Sequence, residues 1–154
     1  MEKTNVMRLL DAQKIPYKAH EYSPELTDGQ SVAKALGQDE DSTFKTLVTT
    51  DGKRNYFVFV VPVNCTLHLK KAAAAVGAKS IEMIKQKELL PLTGYIHGGC
   101  SPIGMKKLFP TVVNDTAELF DSIMFSAGKV GYQVELSPAT LLELVNGKYA
   151  DIVE

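Results

Sequence analysis

The chain has 154 residues, 17 basic and 18 acidic side chains, and a formal net charge of −1; 45% of its residues are apolar and 23% charged. That length suits one globular domain, 1–154, with enough apolar material for a real core, and the near-neutral balance argues against a protein that grips DNA or other long nucleic acid by charge alone. The longest apolar run, Tyr56 to Val63, is too short to cross a bilayer.

The N-terminal MEKTNVMRLL lacks a basic segment followed by an apolar stretch, so no secretion signal is expected. Val6, Leu9, Leu10 and Gln13 share a helical face, with Thr4 or Asn5 as cap and Pro16 as terminator. Tyr17 to Tyr22 suits a strand, and Thr27 or Asp28 opens a helix that runs through Ser31 to Leu36 and closes at Gly37. A hairpin follows: TFKTLVTT and NYFVFVVPV flank DGKR, and the second run, apolar on both faces, predicts a central strand. Leu69, Ala72, Ala73 and Val76 make a helical stripe ended by Gly77. Ser80 to Ile84 predicts a strand and Lys85 to Leu90 a short helix stopped by Pro91. Strands are then expected around Tyr95–His97, Thr111–Asn114, Ile123–Ser126 and Val130–Leu136. LSPATLLELVNG predicts a helix with Ser137 at its cap and Gly147 past its end, before a last strand over Tyr149–Val153. Without a regular βαβ rhythm, the expected class is α+β: a curved, mixed, mostly antiparallel sheet, open-barrel-like, with flanking helices.

Three chemistries are open to the residues. Cys100, three residues from His97, has the elements of a thiol nucleophile, although no orienting acid is evident; Ser101 sits in G-C-S-P-I-G rather than the G-x-S-x-G of a serine elbow. Cys65-x-x-His68 and His97-x-x-Cys100 together contain donors that zinc accepts, but one pair straddles a strand–helix junction and the other a glycine loop. Gly98, Gly99 and Gly104 permit a backbone cradle whose N–H groups face an anion or a developing oxyanion; a plain glycine turn gives the same pattern. Two cysteines make no disulfide framework, and the simple expectation is a reducing cytoplasm. Lys45, in the apolar strand FKTLV, is either a solvated edge residue or a phosphate ligand.

Thr43–Thr46 (TFKT), Leu67–Met83 (LHLKKAAAAVGAKSIEM), Gly94–Lys107 (GYIHGGCSPIGMKK) and Ser126–Val145 (SAGKVGYQVELSPATLLELV) come in an order that resembles the bacterial YbaK-type Cys-tRNA(Pro) deacylases, relatives of the editing domain inserted in prolyl-tRNA synthetases. The resemblance runs from VMRLLDAQKIPYKAHEY to YADIV, nearly the whole chain. It implies a compact α+β domain and a cytoplasmic trans-editing enzyme without metal or cofactor. Its substrate would be the acceptor end of mischarged Cys-tRNA(Pro), and prolyl-tRNA synthetase a possible partner. By position it implies catalytic roles for Lys45, Gly99 and Ser101, with Lys45 on the phosphate near the terminal adenosine. Tyr22, Gly98, Cys100, Pro102 and Gly104 would line the substrate, Cys100 as a bystander to the chemistry. Lys70, Lys71, Lys106, Lys107 and Lys129 are expected to guide the tRNA, unless they are simply solvated. The implied nucleophile is the substrate's own thiol. The alternatives are a sister deacylase for Ala or Ser that uses water, and a non-catalytic module binding tRNA or synthetase. Ser23 to Asp28 follows no fixed family pattern, and Gln133 stands where some members carry an acid; no role is assigned to it.

Overall fold

The computed structural model describes residues 1–154. Helix α1 (Asn5–Ala12) begins at Thr4, whose Oγ1 accepts from the Met7 N–H at 3.2 Å, and buries Val6, Met7 and Leu10. After Pro16 comes β1 (Lys18–Glu21). Helix α2 (Gly29–Ala35) is capped by the Asp28 carboxylate, which accepts from the Ser31 N–H at 3.0 Å. The expected hairpin is β2 (Phe44–Thr50) and β3 (Tyr56–Pro62), paired antiparallel with Lys45 opposite Val61. Asp51 Oδ1 accepts from the Lys53 and Asn55 N–H groups and closes the turn. Helix α3 (Leu69–Val76) takes His68 as its cap, Nδ1 accepting from the Lys71 N–H at 3.2 Å. There follow β4 (Glu82–Met83), α4 (Gln86–Thr93), β5 (Thr111–Asn114), β6 (Ile123–Ser126), β7 (Tyr132–Leu136), α5 (Pro138–Val145) and β8 (Lys148–Ala150).

Five strands form one sheet in the order β4–β2–β3–β5–β8, antiparallel as far as β3 and parallel beyond it. Three form an antiparallel sheet, β1–β7–β6. The sheets meet at one parallel bridge, Thr43 to Met124, and do not close into a barrel. The expected α+β class with a mostly antiparallel, open arrangement is what forms. Strand β3 lies between β2 and β5, and its doubly apolar pattern is divided by strand alternation. Val58 and Val60 join the larger core with α1, β6, β7 and α5, whereas Phe57, Phe59 and Val61 pack beneath α3. No helix is long and apolar enough to cross a membrane.

Four local expectations are corrected. Tyr95–His97 is not a strand: Tyr95 is buried, its hydroxyl donates to the Ile103 carbonyl, and the segment leads into a loop. Pro91 does not stop α4, which runs to Thr93; Thr93 Oγ1 donates to the Leu89 carbonyl at 2.7 Å, and burial of Leu89 and Thr93 offsets the one amide that proline lacks. The strand foreseen over Ser80–Ile84 shrinks to Glu82–Met83. The last strand, foreseen over Tyr149–Val153, runs over Lys148–Ala150 instead.

Candidate active site

Beside the bridge between the sheets opens a cavity of about 420 Å³, within the range of small-ligand sites. Strand β2 supplies Phe44 to Leu47; Ser126 and Gln133 come from β6 and β7, and Gly29, Gln30 and Val32 from α2. Tyr22, Asp28, Leu89, His97, Gly98 and Cys100 complete most of the wall. The lining is graded. Thr43, Phe44, Val32, Tyr22, Ser126 and Gln133 are buried, while Thr27, Asp28, Gln30, His97 and Gly98 are exposed at the mouth.

Lys45 is the only lysine or arginine on this wall. It is half-buried, and no carboxylate pairs with it. Burial lowers its pKa from the ordinary lysine value, and the nearby Cys65 sulfur opposes that shift. A partly desolvated, unpaired ammonium attracts an anion strongly, because water screens it poorly.

The 98–104 loop divides between wall and scaffold. Gly98 lines the cavity with φ at +85°, a conformation a side chain would strain. Gly99 is buried behind it, and a Cβ there would come within 2.9 Å of the Val130 nitrogen. Its glycine therefore permits backbone to pack on backbone. The Gly99 N–H donates to the Ile96 carbonyl at 3.0 Å, whereas the amides of Gly98 and Cys100 have no acceptor within the protein. Ser101 is fully buried, and its Oγ accepts from the Ile103 N–H at 3.3 Å. Ser101 and Pro102 are buried behind the wall, and Gly104 lies away from the cavity at the surface, where a Cβ would meet the Tyr95 hydroxyl at 2.8 Å. Tyr22 and Cys100 do line the cavity.

The remaining chemistries can be weighed on this geometry. Burial pushes the Cys100 thiol up to about 12, so almost none of it is thiolate at neutral pH. The four side chains of the two Cys/His pairs do not assemble: no three His, Cys, Asp or Glu side chains cluster as metal ligands, and His68 Nδ1 is occupied as a helix cap. Among the five outer lysines, Lys71 bonds Asp151 at 3.0 Å and Lys129 bonds Glu2 at 2.6 Å. Lys70, Lys106 and Lys107 are exposed and outside any ion pair. Sequence reasoning missed α2 as a wall and the buried polar floor around Ser126 and Gln133. Alternation in β7 hid Gln133, since it sets that residue beside Glu135 on the face opposite Val134 and Leu136.

Comparison with known proteins agrees with this architecture. The model of the aminoacyl-tRNA editing domain matches residues 23–144. A protein of Enterococcus faecalis, EbsC, described as a candidate Cys-tRNA(Pro)/Cys-tRNA(Cys) deacylase, is 48% identical over 153 residues, covering 98% of this chain and 93% of its own. The proline–tRNA ligase of Shouchella clausii is 30% identical over 111 residues, which are 71% of this chain but 19% of that enzyme. A crystal structure of a candidate trans-editing enzyme for prolyl tRNA synthetase superposes with a TM-score of 0.86 at 23% identity, covering 100% of this chain and 99% of the other, a likeness of fold. With the matched domain model spanning most of its length, the chain belongs to the aminoacyl-tRNA editing domain family.

Proposed function

We propose that this chain deacylates Cys-tRNA(Pro) in trans, in the cytoplasm where tRNAs are charged. The observation that carries the reading is a cavity with an unpaired cation and free backbone amides but no activated protein nucleophile: Cys100 is held as a thiol and Ser101 is sealed behind the wall. The attacking atom must then arrive with the substrate or from water. Cysteine brings its own thiol, which at an ordinary pKa near ~8.5 is a few per cent thiolate at neutral pH and strongly nucleophilic. Its sulfur bonds to the ester carbon, the bond from that carbon to the ribose oxygen breaks, and the thiol proton passes to the departing oxygen. Free tRNA and a thiolactone leave. Lys45 holds a terminal phosphate, and the Gly98 and Cys100 amides face the developing oxyanion, with preorganised donors supplying much of the rate. Such an editor answers a physical problem in charging: cysteine and proline are similar in volume, and a site for small side chains separates them by only ~1–3 kcal/mol. Delivery of the mischarged tRNA by prolyl-tRNA synthetase fits the likeness to part of such an enzyme.

A deacylation assay on Cys-tRNA(Pro), its S-methylated form and Ala-tRNA(Pro) tests this. Wild-type protein should cleave only the first, Lys45→Ala should lose most of that activity, and Cys100→Ala should keep it. Rapid cleavage of the S-methylated or alanyl substrate would reassign the enzyme to a water mechanism. Loss of activity in Cys100→Ala would restore the protein thiol as nucleophile, and tRNA binding without any cleavage would leave only a binding module.

A further inference from the structure

Among the side chains that line the cavity, two buried polar atoms have no partner. Gln133 is 7% exposed, and its Oε1 is buried without a hydrogen bond; Thr46 Oγ1 is likewise buried and unpaired. Both residues line the cavity. One further side-chain atom shares this condition, Glu40 Oε1, and Glu40 lies outside the cavity. Buried polar atoms are ordinarily hydrogen-bonded, and leaving one unpaired is costly. Two of them in one site therefore mark a place completed by a ligand donor.

The donor's chemistry follows from position and charge. The residues at the mouth are exposed and Lys45 is half-buried along the wall, so the nucleotide belongs outside and the smallest part of the substrate reaches the buried floor. Within an aminoacyl ester, the carbonyl is an acceptor and a thiol a weak donor; the α-amino group alone is a strong, multiple donor. The only carboxylate on the wall, Asp28, is exposed at the mouth and engaged with the Ser31 N–H, so the floor meets the amine with dipoles rather than with a charge. Resting on the deacylase reading, we infer that Gln133 Oε1 and the Thr46 hydroxyl receive the α-amino group of the aminoacyl ester, making Gln133 a substrate-orienting residue for the cleaved amino acid.

The experiment pairs Cys-tRNA(Pro) with 3-mercaptopropionyl-tRNA(Pro), which keeps the thiol and lacks the amine. Wild type should prefer the amine-bearing substrate about ten- to a hundredfold in kcat/KM, the size of a lost hydrogen bond to a charged group. Gln133→Met, similar in shape without the acceptor, should bring that ratio close to one. Gln133→Glu, which adds a charge-assisted acceptor, should restore or enlarge it. A preference that survives in Gln133→Met, or no preference in wild type, overturns the assignment. Because Gln133→Met is also a folding risk, a second measurement uses wild-type protein: the Gln133 side-chain amide resonances on titration with cysteine methyl ester and with methyl 3-mercaptopropionate. A shift with the first and not the second supports the amine site; an equal response, or none, overturns it. If neither tRNA is cleaved, the deacylase reading fails by itself, and the titration still decides whether the floor binds an amine.

Discussion

Lys45 sets function against stability in a single side chain. Its pKa in the folded protein lies below the ordinary lysine value because burial penalises the charge. The folded state thus binds this proton less tightly than the unfolded chain. Stability is reduced while the lysine is charged in the folded protein, at neutral pH and below; it recovers as pH rises from the lowered folded value and is fully restored above the unfolded value. Lys45→Met should accordingly raise the melting temperature at pH 7 while lowering deacylation about ten- to a hundredfold, the loss of one charge-assisted contact. Paired melting curves and single-turnover assays check both halves; a variant that melts lower would remove the conflict. Glu135 behaves in the opposite sense. The Ser122 hydroxyl donates to Oε2 at 2.6 Å and His20 Nε2 lies 2.9 Å from Oε1; the first contact chiefly, then the second, holds its carboxyl below the ordinary glutamate value of 4.5. That contribution is present above pH 4.5 and is lost as pH falls from there through the lower folded value. Glu135→Gln should be less stable than wild type at pH 7, and the two should converge once the pH has fallen below the lowered folded value. Urea midpoints across that window measure it.

At the scale of elements, α2 is the wall most sensitive to sequence. It starts at Gly29, where a Cβ would lie 2.3 Å from Val63 Cγ1, closer than any side chain tolerates. Helix and strand end touch there because glycine has no side chain, and both residues line the cavity. Gly29→Ala must push α2 outward or distort the strand end; overpacking of this kind costs about 1–3 kcal/mol. The expected result is a lower denaturation midpoint together with a raised KM, since the cavity's width changes with the helix. An unchanged KM would detach α2 from substrate binding. The 98–104 loop shows a comparable division of labour. Gly98 and Cys100 face the cavity, while Gly99 and Ser101 hold the loop against the 129–130 segment and its own next turn.

Over the whole molecule, the near-neutral charge leaves tRNA attraction to local lysines. Lys71 and Lys129 are already neutralised by Asp151 and Glu2, so Lys70, Lys106 and Lys107 have more to offer a phosphate. Alanine at Lys106 or Lys107 should weaken tRNA binding and reduce the log–log salt slope by about 0.7–0.9 per lost phosphate contact. Alanine at Lys71 or Lys129 should change the slope much less. Affinity measured across salt concentrations separates the two sets, and equal slopes would show that the ion pairs open on binding.

Local signals predicted most elements because their causes are local: Asp28 caps α2, Gly77 ends α3 in the left-handed region, and the alternation of β3 divides two cores. Pro91 and Tyr95–His97 misled because buried side chains and their hydrogen bonds, Thr93 to Leu89 and Tyr95 to Ile103, outweighed propensity there. Lys45 and the glycine loop could be singled out from residue type and motif order alone. Which loop residues face the cavity, and the pairing of α2 with a floor of Ser126 and Gln133, came only with tertiary structure. Positions 22, 29, 45, 98, 126 and 133 share one cavity because two sheets join at a single bridge and part beside it. No local pattern encodes that separation, since it depends on how distant segments fill the two cores around the central strand.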